Sequence, residues 1–188
     1  MRKLTIFNFM TLDGYVADPH GDTSWHAHDP EDHETLGYAA EMLALGDTLL
    51  FGRKTYEFMA SFWPTPMARQ VMPEVAAGMN TAAKVVFSRS LKRAAWEHTT
   101  LVTDDAVRAT AALKETSPAD LTVLGSGSLL RQFSDAGLID ELQLMVDPLL
   151  LGDGRSVFRG IEQRRRLRLT ATRTFSNGAL LLTYQPRR

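Results

Sequence analysis

Short apolar, β-prone segments alternate with helical patterns along most of the chain, and this alternation constrains the fold more than any other feature. Six of these segments predict strands, at Leu4–Met10, Thr48–Phe51, Lys84–Phe87, Thr99–Val102, Leu121–Leu124 and Glu141–Val146. Helices are predicted between them, from a start at Asp29-Pro30-Glu31-Asp32 to Gly46, over Thr55–Phe62, over Met67–Met79 with an interruption at Pro73, from Asp104-Asp105 to Glu115, and up to Ala136. Strands that alternate with helices favour a mostly parallel sheet covered on both faces.

The chain closes with two further β-prone runs, Leu167–Phe175 and Ala179–Tyr184. Between them, Asn177-Gly178 predicts a hairpin with a two-residue turn. Pro148 indicates that the strand before it meets a sheet edge or an irregularity. We therefore expect an α/β three-layer sandwich with a mostly parallel sheet and an antiparallel C-terminal hairpin, formed by a single domain over residues 1–188.

The composition excludes several classes of function. The chain contains no cysteine, which excludes disulfides, thiolate zinc sites, iron–sulfur clusters and thiol nucleophiles. The net charge of −1 gives no general attraction to nucleic acid or to a membrane surface. The N-terminal segment does not resemble a secretory signal, and no apolar stretch approaches the length of a membrane span. We expect a cytoplasmic protein that acts on a small molecule.

Three predicted strands lead into turns that suit phosphate groups. These turns are Gly52-Arg53-Lys54-Thr55, Ser88-Arg89 and Gly125-Ser126-Gly127-Ser128. The first and third begin helices, whose free N–H groups and positive dipole ends bind anions. In the second, a serine hydroxyl and a guanidinium suit a ribose 2′-phosphate, which favours NADP over NAD. Taken singly, each turn is better explained by helix capping and solvated arginines, whereas three such turns at successive strand ends favour phosphate binding.

The glycine turns match neither common nucleotide motif. The Gly125–Ser128 turn lacks the third glycine of the Rossmann pattern and comes late in the chain. The Walker A lysine pattern is also absent from the sequence. A dinucleotide-binding fold of another kind is required.

Six segments resemble known motifs in the same order. Thr11–Ala17 resembles the S-L-D-G-x-I-A segment of riboflavin-type reductases, and Ser24-Trp25 resembles their S-x-W element. Leu50–Glu57 resembles the G-R-x-T-[WFY]-E turn of dihydrofolate reductases, Val85–Arg89 resembles their adenosine-phosphate strand, and Val123–Leu129 resembles the glycine turn that holds the pyrophosphate. Ile139–Gly154 resembles the I-D-E-L…P-x-x-L-G-x-G segment. The chain thus resembles the dihydrofolate-reductase-like superfamily, and within it the family of the riboflavin-biosynthesis pyrimidine reductase C-terminal domain.

This resemblance implies a site for NADPH. Val16 and Ala17 would border the nicotinamide, and Ser88 and Arg89 would contact the 2′-phosphate. Gly52, Arg53, Lys54 and Thr55 would contact the phosphates and the adenosine ribose, whereas Gly125, Ser126, Gly127, Ser128 and Leu129 would hold the pyrophosphate. The implied reaction is reduction of a small heterocycle, resembling that of 5-amino-6-(5-phosphoribosylamino)uracil reductase.

One departure bears on the substrate. Dihydrofolate reductases carry a pterin-binding acid on the first helix, and the matching position here falls near Leu36. Glu34 is close in sequence, but two places along a helix turn a side chain far around the axis. Dihydrofolate reduction is therefore the alternative to the riboflavin-type reaction, and a non-catalytic NADP-binding or interaction domain is a third possibility.

The remaining candidates concern the substrate end and assembly. Asp13 is the candidate proton donor and substrate contact, or else the acid of an Asp-Gly turn. Trp25 either walls the substrate pocket or anchors a loop. Irregularly spaced histidines (His20, His26, His28 and His33) do not predict a metal site. The segment Asp140–Gly154 carries apolar residues on both faces of its strand, which together with the resemblance predicts a homodimer.

Overall fold

The computed structural model describes residues 1–26 and 32–187. Its strands are β1 (Leu4–Thr11), β2 (Tyr15–Ala17), β3 (Thr48–Gly52), β4 (Lys84–Phe87), β5 (Thr99–Val102), β6 (Leu121–Leu124), β7 (Glu141–Asp147), β8 (Arg155–Ser156), β9 (Leu167–Thr174) and β10 (Leu180–Pro186). Its helices are α1 (His33–Ala44), α2 (Arg53–Phe62), α3 (Pro66–Val71), α4 (Pro73–Thr81), α5 (Ala106–Thr116) and α6 (Gly127–Asp135), with a 3₁₀ turn at Ser24–His26. The helix start predicted at Asp29-Pro30-Glu31 lies outside the described residues, and Asp32 caps α1 by accepting the Thr35 N–H.

Eight strands form one sheet in the order β5-β4-β3-β6-β1-β7-β10-β9. The first six of these are parallel to one another, and β10 is antiparallel to both β7 and β9. This confirms the predicted parallel sheet with an antiparallel C-terminal hairpin. Strand β6 lies between β3 and β1 although it comes much later in the chain, so the carboxyl ends of distant segments become neighbours.

Helices cover both faces of the sheet, which makes three layers. One face of β1, with Leu4 and Ile6, packs in the core that α5 and α6 cover. The opposite face of β1, with Phe7 and Phe9, packs beneath Tyr38 of α1. Within the described residues, no helix has the length and apolarity needed to cross a bilayer.

Proline and glycine chemistry explains where helix and turn boundaries differ from prediction. The helix predicted over Met67–Met79 is two helices, because Pro73 has no N–H to continue α3 and instead begins α4. The hairpin loop has three residues, not two: Phe175 pairs with Ala179, and Gly178 closes the turn by donating to the Phe175 carbonyl at a φ of 87°. A turn followed by a left-handed glycine is the usual form of a three-residue hairpin loop.

Pro148 indicated a sheet edge or an irregularity at the strand before it, and for β7 the sheet edge is excluded. It lies between β1 and β10, and Pro148 follows its last residue. Apolar residues on both faces of β7 are therefore explained by burial inside this chain, because both faces of an interior strand are covered. That pattern no longer supports the homodimer, which stays a prediction from the resemblance. The small sheet of β2 and β8 was not predicted from the sequence.

A buried lysine caps the C-terminal end of α4. The Lys84 side chain is 1% exposed, and its Nζ donates to the carbonyls of Met79, Asn80 and Ala82 at 2.9, 3.2 and 2.6 Å. It also lies 4.6 Å from the centroid of the Trp96 ring. The amino end of β4 is thereby tied to the end of the preceding helix.

We expect Lys84→Met to lower the free energy of unfolding by about 2–3 kcal/mol, because three buried carbonyls lose their donor. Lys92→Met, which removes an exposed lysine nearby, serves as the matched control and should change it by less than about 0.5 kcal/mol. Urea denaturation measures both values. Equal stabilities of the two variants would show that Nζ does not support the helix end.

Candidate functional site

Five residues at the carboxyl ends of neighbouring strands lie in a row at one edge of the sheet. Ser88 follows β4, Gly52 ends β3, Gly125 follows β6, Thr11 ends β1 and Asp147 ends β7. These strands are consecutive neighbours, and parallel strands present their carboxyl ends at the same edge. Adjacent strands lie about 4.8 Å apart, so the row extends for roughly 19 Å. An edge of this kind is where open α/β sheets bind ligands.

The two glycine turns contact each other at the centre of this row. A Cβ atom on Gly52 would lie 2.5 Å from Ser126 Oγ, and one on Gly125 would lie 3.1 Å from Thr55 Cγ2. Because these positions lack Cβ atoms, the two turns can approach closely. The prediction that Gly52–Thr55 and Gly125–Ser128 act together is thus consistent with their geometry.

The Gly125–Ser128 turn is held in an unusual backbone conformation. Gly125 and Ser126 both have left-handed φ angles, 63° and 61°. For a serine this conformation costs roughly 1–2 kcal/mol. Gly125 N–H donates to the Phe7 carbonyl at 3.0 Å, and the Ser126 carbonyl accepts from Leu129 and Leu130. The turn therefore aims the first N–H groups of α6, which have no intrahelical acceptor, out of the sheet edge.

At the other turn, α2 begins directly at Arg53, two residues earlier than predicted. Its N-cap is Gly52, which offers no side-chain acceptor to the first-turn N–H groups. Arg53 donates to both oxygens of Glu57 at 3.0 and 3.1 Å, and Lys54 is exposed. A second helix N-terminus is thus available beside the first, with two cationic side chains at its start.

Ser88 and Arg89 lie one strand further along. Ser88 Oγ accepts from the backbone N–H of Leu91 at 2.9 Å and of Ser90 at 3.2 Å, which shapes the turn after β4. The Arg89 side chain is exposed. The Ser88 hydroxyl keeps its own proton for donation while it caps the turn.

Val16, Ala17 and Leu129 pack against other residues of the chain. Val16 packs against the core that α5 and α6 cover, and Ala17 is 4% exposed. Gly154, which directly precedes β8, would collide with the Ala17 carbonyl if it had a Cβ, so the two segments are in close contact. Leu129 is 3% exposed. Its side chain belongs to the core, which leaves only its backbone for contact with a ligand.

The Asp13 carboxylate anchors a loop. It accepts from the Thr11 hydroxyl at 2.6 Å and from the backbone N–H groups of Leu151 and Gly152 at 3.0 and 2.7 Å. The pKa of Asp13 is held below its usual 3.8, mainly by the hydrogen bond from the Thr11 hydroxyl. The N–H groups of Gly152 and Leu151 lower the pKa further, whereas partial desolvation opposes these effects. An acid that stays ionised is a poor proton donor near neutral pH. Its role in the reaction stays a prediction, and the geometry favours the structural alternative.

Trp25 lies over the α1 face of the sheet. Its ring meets the edge of His26 at 5.2 Å, and His26 stacks on Phe9 at 5.2 Å with an interplanar angle of 6°. Burial lowers the pKa of His26. Trp25 Nε1 is buried and has no hydrogen-bond partner within the described part of the chain. The Trp25 ring therefore packs against the turn, and its Nε1–H is a hydrogen-bond donor without an acceptor among the described residues.

Asp147 was not identified from the sequence. Its Oδ2 is buried without a hydrogen-bond partner among residues 1–26 and 32–187. Burial, with a smaller contribution from Asp32, raises the pKa of Asp147 to about 6. The signal for it was present, since an acidic residue that ends a buried strand at the ligand-binding edge is unusual.

The first helix does not supply an acid in the place of the pterin-binding one. Leu36, the position predicted to match, is not acidic, and Glu34 Oε2 accepts the Ser176 N–H at 2.8 Å, which ties it to the hairpin loop. Across the described residues no group of three or more His, Asp or Glu is arranged to hold a metal ion. His28 and the side chain of His33 lie outside the described residues.

A groove of about 1090 Å³ lies elsewhere, among the end of α6, residues 158–168 and the end of β10. Arginines line it, namely Arg164, Arg165, Arg168 and Arg187. None of the residues predicted to bind the cofactor is part of this lining. Its arginines therefore provide control positions for experiments on the strand-end row.

We expect Gly52→Ala to destabilise the protein by about 1–3 kcal/mol, because the new methyl group would overlap Ser126 Oγ. Gly52 has φ −77°, so crowding and not backbone strain is the cause. In the double variant with Ser126→Ala most of the loss should be restored, and Gly37→Ala, with open space around its Cβ position, is the control. Thermal unfolding of these three variants and of the Ser126→Ala single variant measures this coupling, and additive effects would contradict it.

We expect Asp13→Asn to speed hydrogen exchange at the Leu151 and Gly152 amides, because an amide side chain offers one acceptor oxygen instead of two. In the wild type, protection should be complete above the ordinary pKa of 3.8 and be lost as the pH falls through the lowered value. Asp18→Asn, which alters a different loop, is the matched control. Unchanged exchange in Asp13→Asn would refute the anchoring role.

Structures of known proteins share this fold. A Thermotoga maritima protein, a diaminohydroxyphosphoribosylaminopyrimidine deaminase/5-amino-6-(5-phosphoribosylamino)uracil reductase, superposes with a TM-score of 0.67 at 19% identity, over 99% of this chain and 57% of its own. The dihydrofolate reductase of Enterococcus faecalis, complexed with NADP(H) and RAB-propyl, superposes with a TM-score of 0.63 at 18% identity, over 99% and 97%. The fold is therefore dihydrofolate-reductase-like.

Comparison of sequences extends this result. The uncharacterized protein YyaP of Bacillus subtilis (strain 168) is 28% identical over 183 residues, which is 97% of this chain and 94% of YyaP. The model of the RibD C-terminal domain matches residues 2–181. Because this model covers almost the whole length of the chain, the chain belongs to the RibD C-terminal domain family.

Proposed function

We propose that this protein is an NADPH-dependent reductase of a small heterocycle, similar to the 5-amino-6-(5-phosphoribosylamino)uracil reductases. The observation that carries the proposal is the contact between the Gly52–Thr55 and Gly125–Ser128 turns. Each turn begins a helix, and the two turns are so close that a Cβ at Gly52 would lie 2.5 Å from Ser126 Oγ. Two adjacent anion sites suit the linked phosphates of a dinucleotide better than a single phosphate.

The order of residues along the sheet edge gives the dinucleotide a direction. Arg89 and Ser88 lie at the β4 end, where a 2′-phosphate would receive a hydroxyl hydrogen bond and a guanidinium. The two glycine turns come next, at β3 and β6. Val16 lies beyond them, past β1. An adenosine at the β4 end and a nicotinamide near β1 would follow this order.

Within this proposal the protein's work is mainly to position groups. A bound nicotinamide supplies a hydride, so binding and orientation are the main demands on the chain. The β2–β8 contact beside Val16, fixed by Gly154 and by Asp13, would form a rigid wall at the nicotinamide end. Trp25 and Asp147 lie on the α1 face near the same end, where a substrate would meet the cofactor.

The first helix argues against dihydrofolate as the preferred substrate. Glu34, the nearest acid in sequence to the expected position, is bonded to the hairpin backbone. A pterin ring would have to find its carboxylate elsewhere. A pyrimidine of the riboflavin-pathway type is the better candidate class.

The proposal is tested by cofactor binding and turnover together. We expect NADPH to change the fluorescence of the protein with a Kd at least tenfold below that of NADH, and we expect oxidation of NADPH with 5-amino-6-(5-phosphoribosylamino)uracil at 340 nm. Dihydrofolate should be the poorer substrate. Absence of NADPH binding at millimolar concentration would rule the proposal out, and binding without turnover of either compound would leave the non-catalytic alternative.

We expect Arg89→Ala to weaken NADPH binding about tenfold or more and to leave NADH binding unchanged, because in this proposal the guanidinium would contact only the 2′-phosphate. Arg164→Ala, in the arginine-lined groove, is the matched control and should affect neither cofactor. Fluorescence titration measures all four constants. An equal loss for NADPH and NADH in Arg89→Ala would place Arg89 away from the 2′-phosphate.

A further inference from the structure

Two buried polar atoms at the substrate end have no partner in the described part of the chain, and they are of opposite kinds. Asp147 Oδ2 accepts hydrogen bonds, and Trp25 Nε1 donates them. A buried polar group without a partner costs roughly 1–3 kcal/mol. Two such groups close to a proposed ligand site indicate that the ligand supplies their partners.

Strand geometry places both atoms on one face of the sheet. Asp147 pairs in register with Thr11, and Met145 pairs with Phe9, so the side chains of Asp147 and Thr11 share the face of Phe9. His26 stacks on Phe9, which sets the Ser24–His26 turn and the Trp25 ring over that face. The Asp147 side chain and the turn that carries Trp25 therefore lie on the same face of the sheet.

Neighbouring groups leave the Asp147 oxygen available. The Thr11 hydroxyl is already bonded to Asp13 and to the Tyr15 backbone. Asp32, at the start of α1, faces Asp147 as a like charge and contributes to raising its pKa. His26 on the 3₁₀ turn has a lowered pKa because it is buried. No cation among the described residues pairs with Asp147, so an N–H donor from a ligand would relieve its desolvation.

We propose that Asp147 and Trp25 recognise the substrate ring, with Asp147 Oδ2 accepting a ring N–H and Trp25 Nε1 donating to the carbonyl next to it. An N–H beside a carbonyl is the edge of a pyrimidinedione such as uracil. This inference rests on the proposed function, whose substrate class it narrows. Asp147 then does from β7 what an acid on the first helix would otherwise do, and the substrate site lies on the α1 face.

The test uses 6-aminouracil as the probe and 6-amino-1,3-dimethyluracil as its matched control, which has the same carbonyls but no ring N–H. Calorimetric titrations are run with and without NADP⁺. We expect 6-aminouracil to bind and the dimethyl compound to bind at least tenfold more weakly. Equal affinities, or failure of 6-aminouracil to bind at millimolar concentration, would overturn the inference, whereas the proposed cofactor role is judged separately by NADPH fluorescence.

Binding should also depend on pH with a defined sign. The ring N–H pairs with the ionised carboxylate, and Asp147 has a pKa of about 6. Affinity for 6-aminouracil is therefore full above pH 7 and falls about tenfold by pH 5, as the ionised fraction falls. Asp13, whose pKa is lowered, stays ionised across this range. In Asp147→Asn, we expect weak binding that no longer varies with pH.

Glu115→Gln provides the control for loss of one negative charge, because Glu115 is exposed in the last turn of α5. It should bind 6-aminouracil as the wild type does, and Trp25→Phe should bind it several-fold more weakly. Carboxyl ¹³C NMR of the wild type gives a reading that needs no variant: the Asp147 midpoint should fall when 6-aminouracil is added. A midpoint that does not move while the probe binds would exclude contact with Asp147.

Discussion

The candidate site depends on the insertion of β6 between β3 and β1. That position brings the Gly125–Ser128 turn against the Gly52–Thr55 turn, although more than 70 residues separate them in the sequence. The contact is tight enough that Gly52 has no room for a methyl group beside Ser126 Oγ. Two helix N-termini therefore lie side by side. Without β6 in that place, each turn would be an ordinary helix start.

Two carboxylates near the expected nicotinamide position have pKa values shifted in opposite directions by their surroundings. Asp13 accepts a hydroxyl and two backbone N–H groups, which stabilise its charge and lower its pKa. Asp147 is desolvated and faces Asp32, and both effects raise its pKa. The first is suited to holding a loop, and the second to meeting a ligand. The sequence alone did not distinguish these two aspartates, since both lie where a strand ends at the same edge of the sheet.

Most strands, the parallel sheet and the C-terminal hairpin were predictable because each has a local cause. Thr48–Gly52 is a continuous apolar run, as a strand buried on both faces requires. The errors also have local causes. Pro73 divides a helix that the apolar pattern alone would join, and the loop after Phe175 uses Gly178 in a three-residue turn where Asn177-Gly178 predicts two. Strand β2 escaped prediction because three residues carry too little periodicity.

The sequence by itself determined the residue types at the strand ends, which are glycines where backbones approach closely and serines and arginines where phosphates would lie. The order of these residues along the chain also indicated the family. Those choices are local, since a turn or a helix start depends on its own few residues. Only the tertiary structure decided that β7 is interior, that Glu34 serves the hairpin, and that Asp147 and Trp25 keep a buried acceptor and donor on one face. These depend on which distant segments become neighbours, because burial and hydrogen-bond satisfaction are properties of the packed chain.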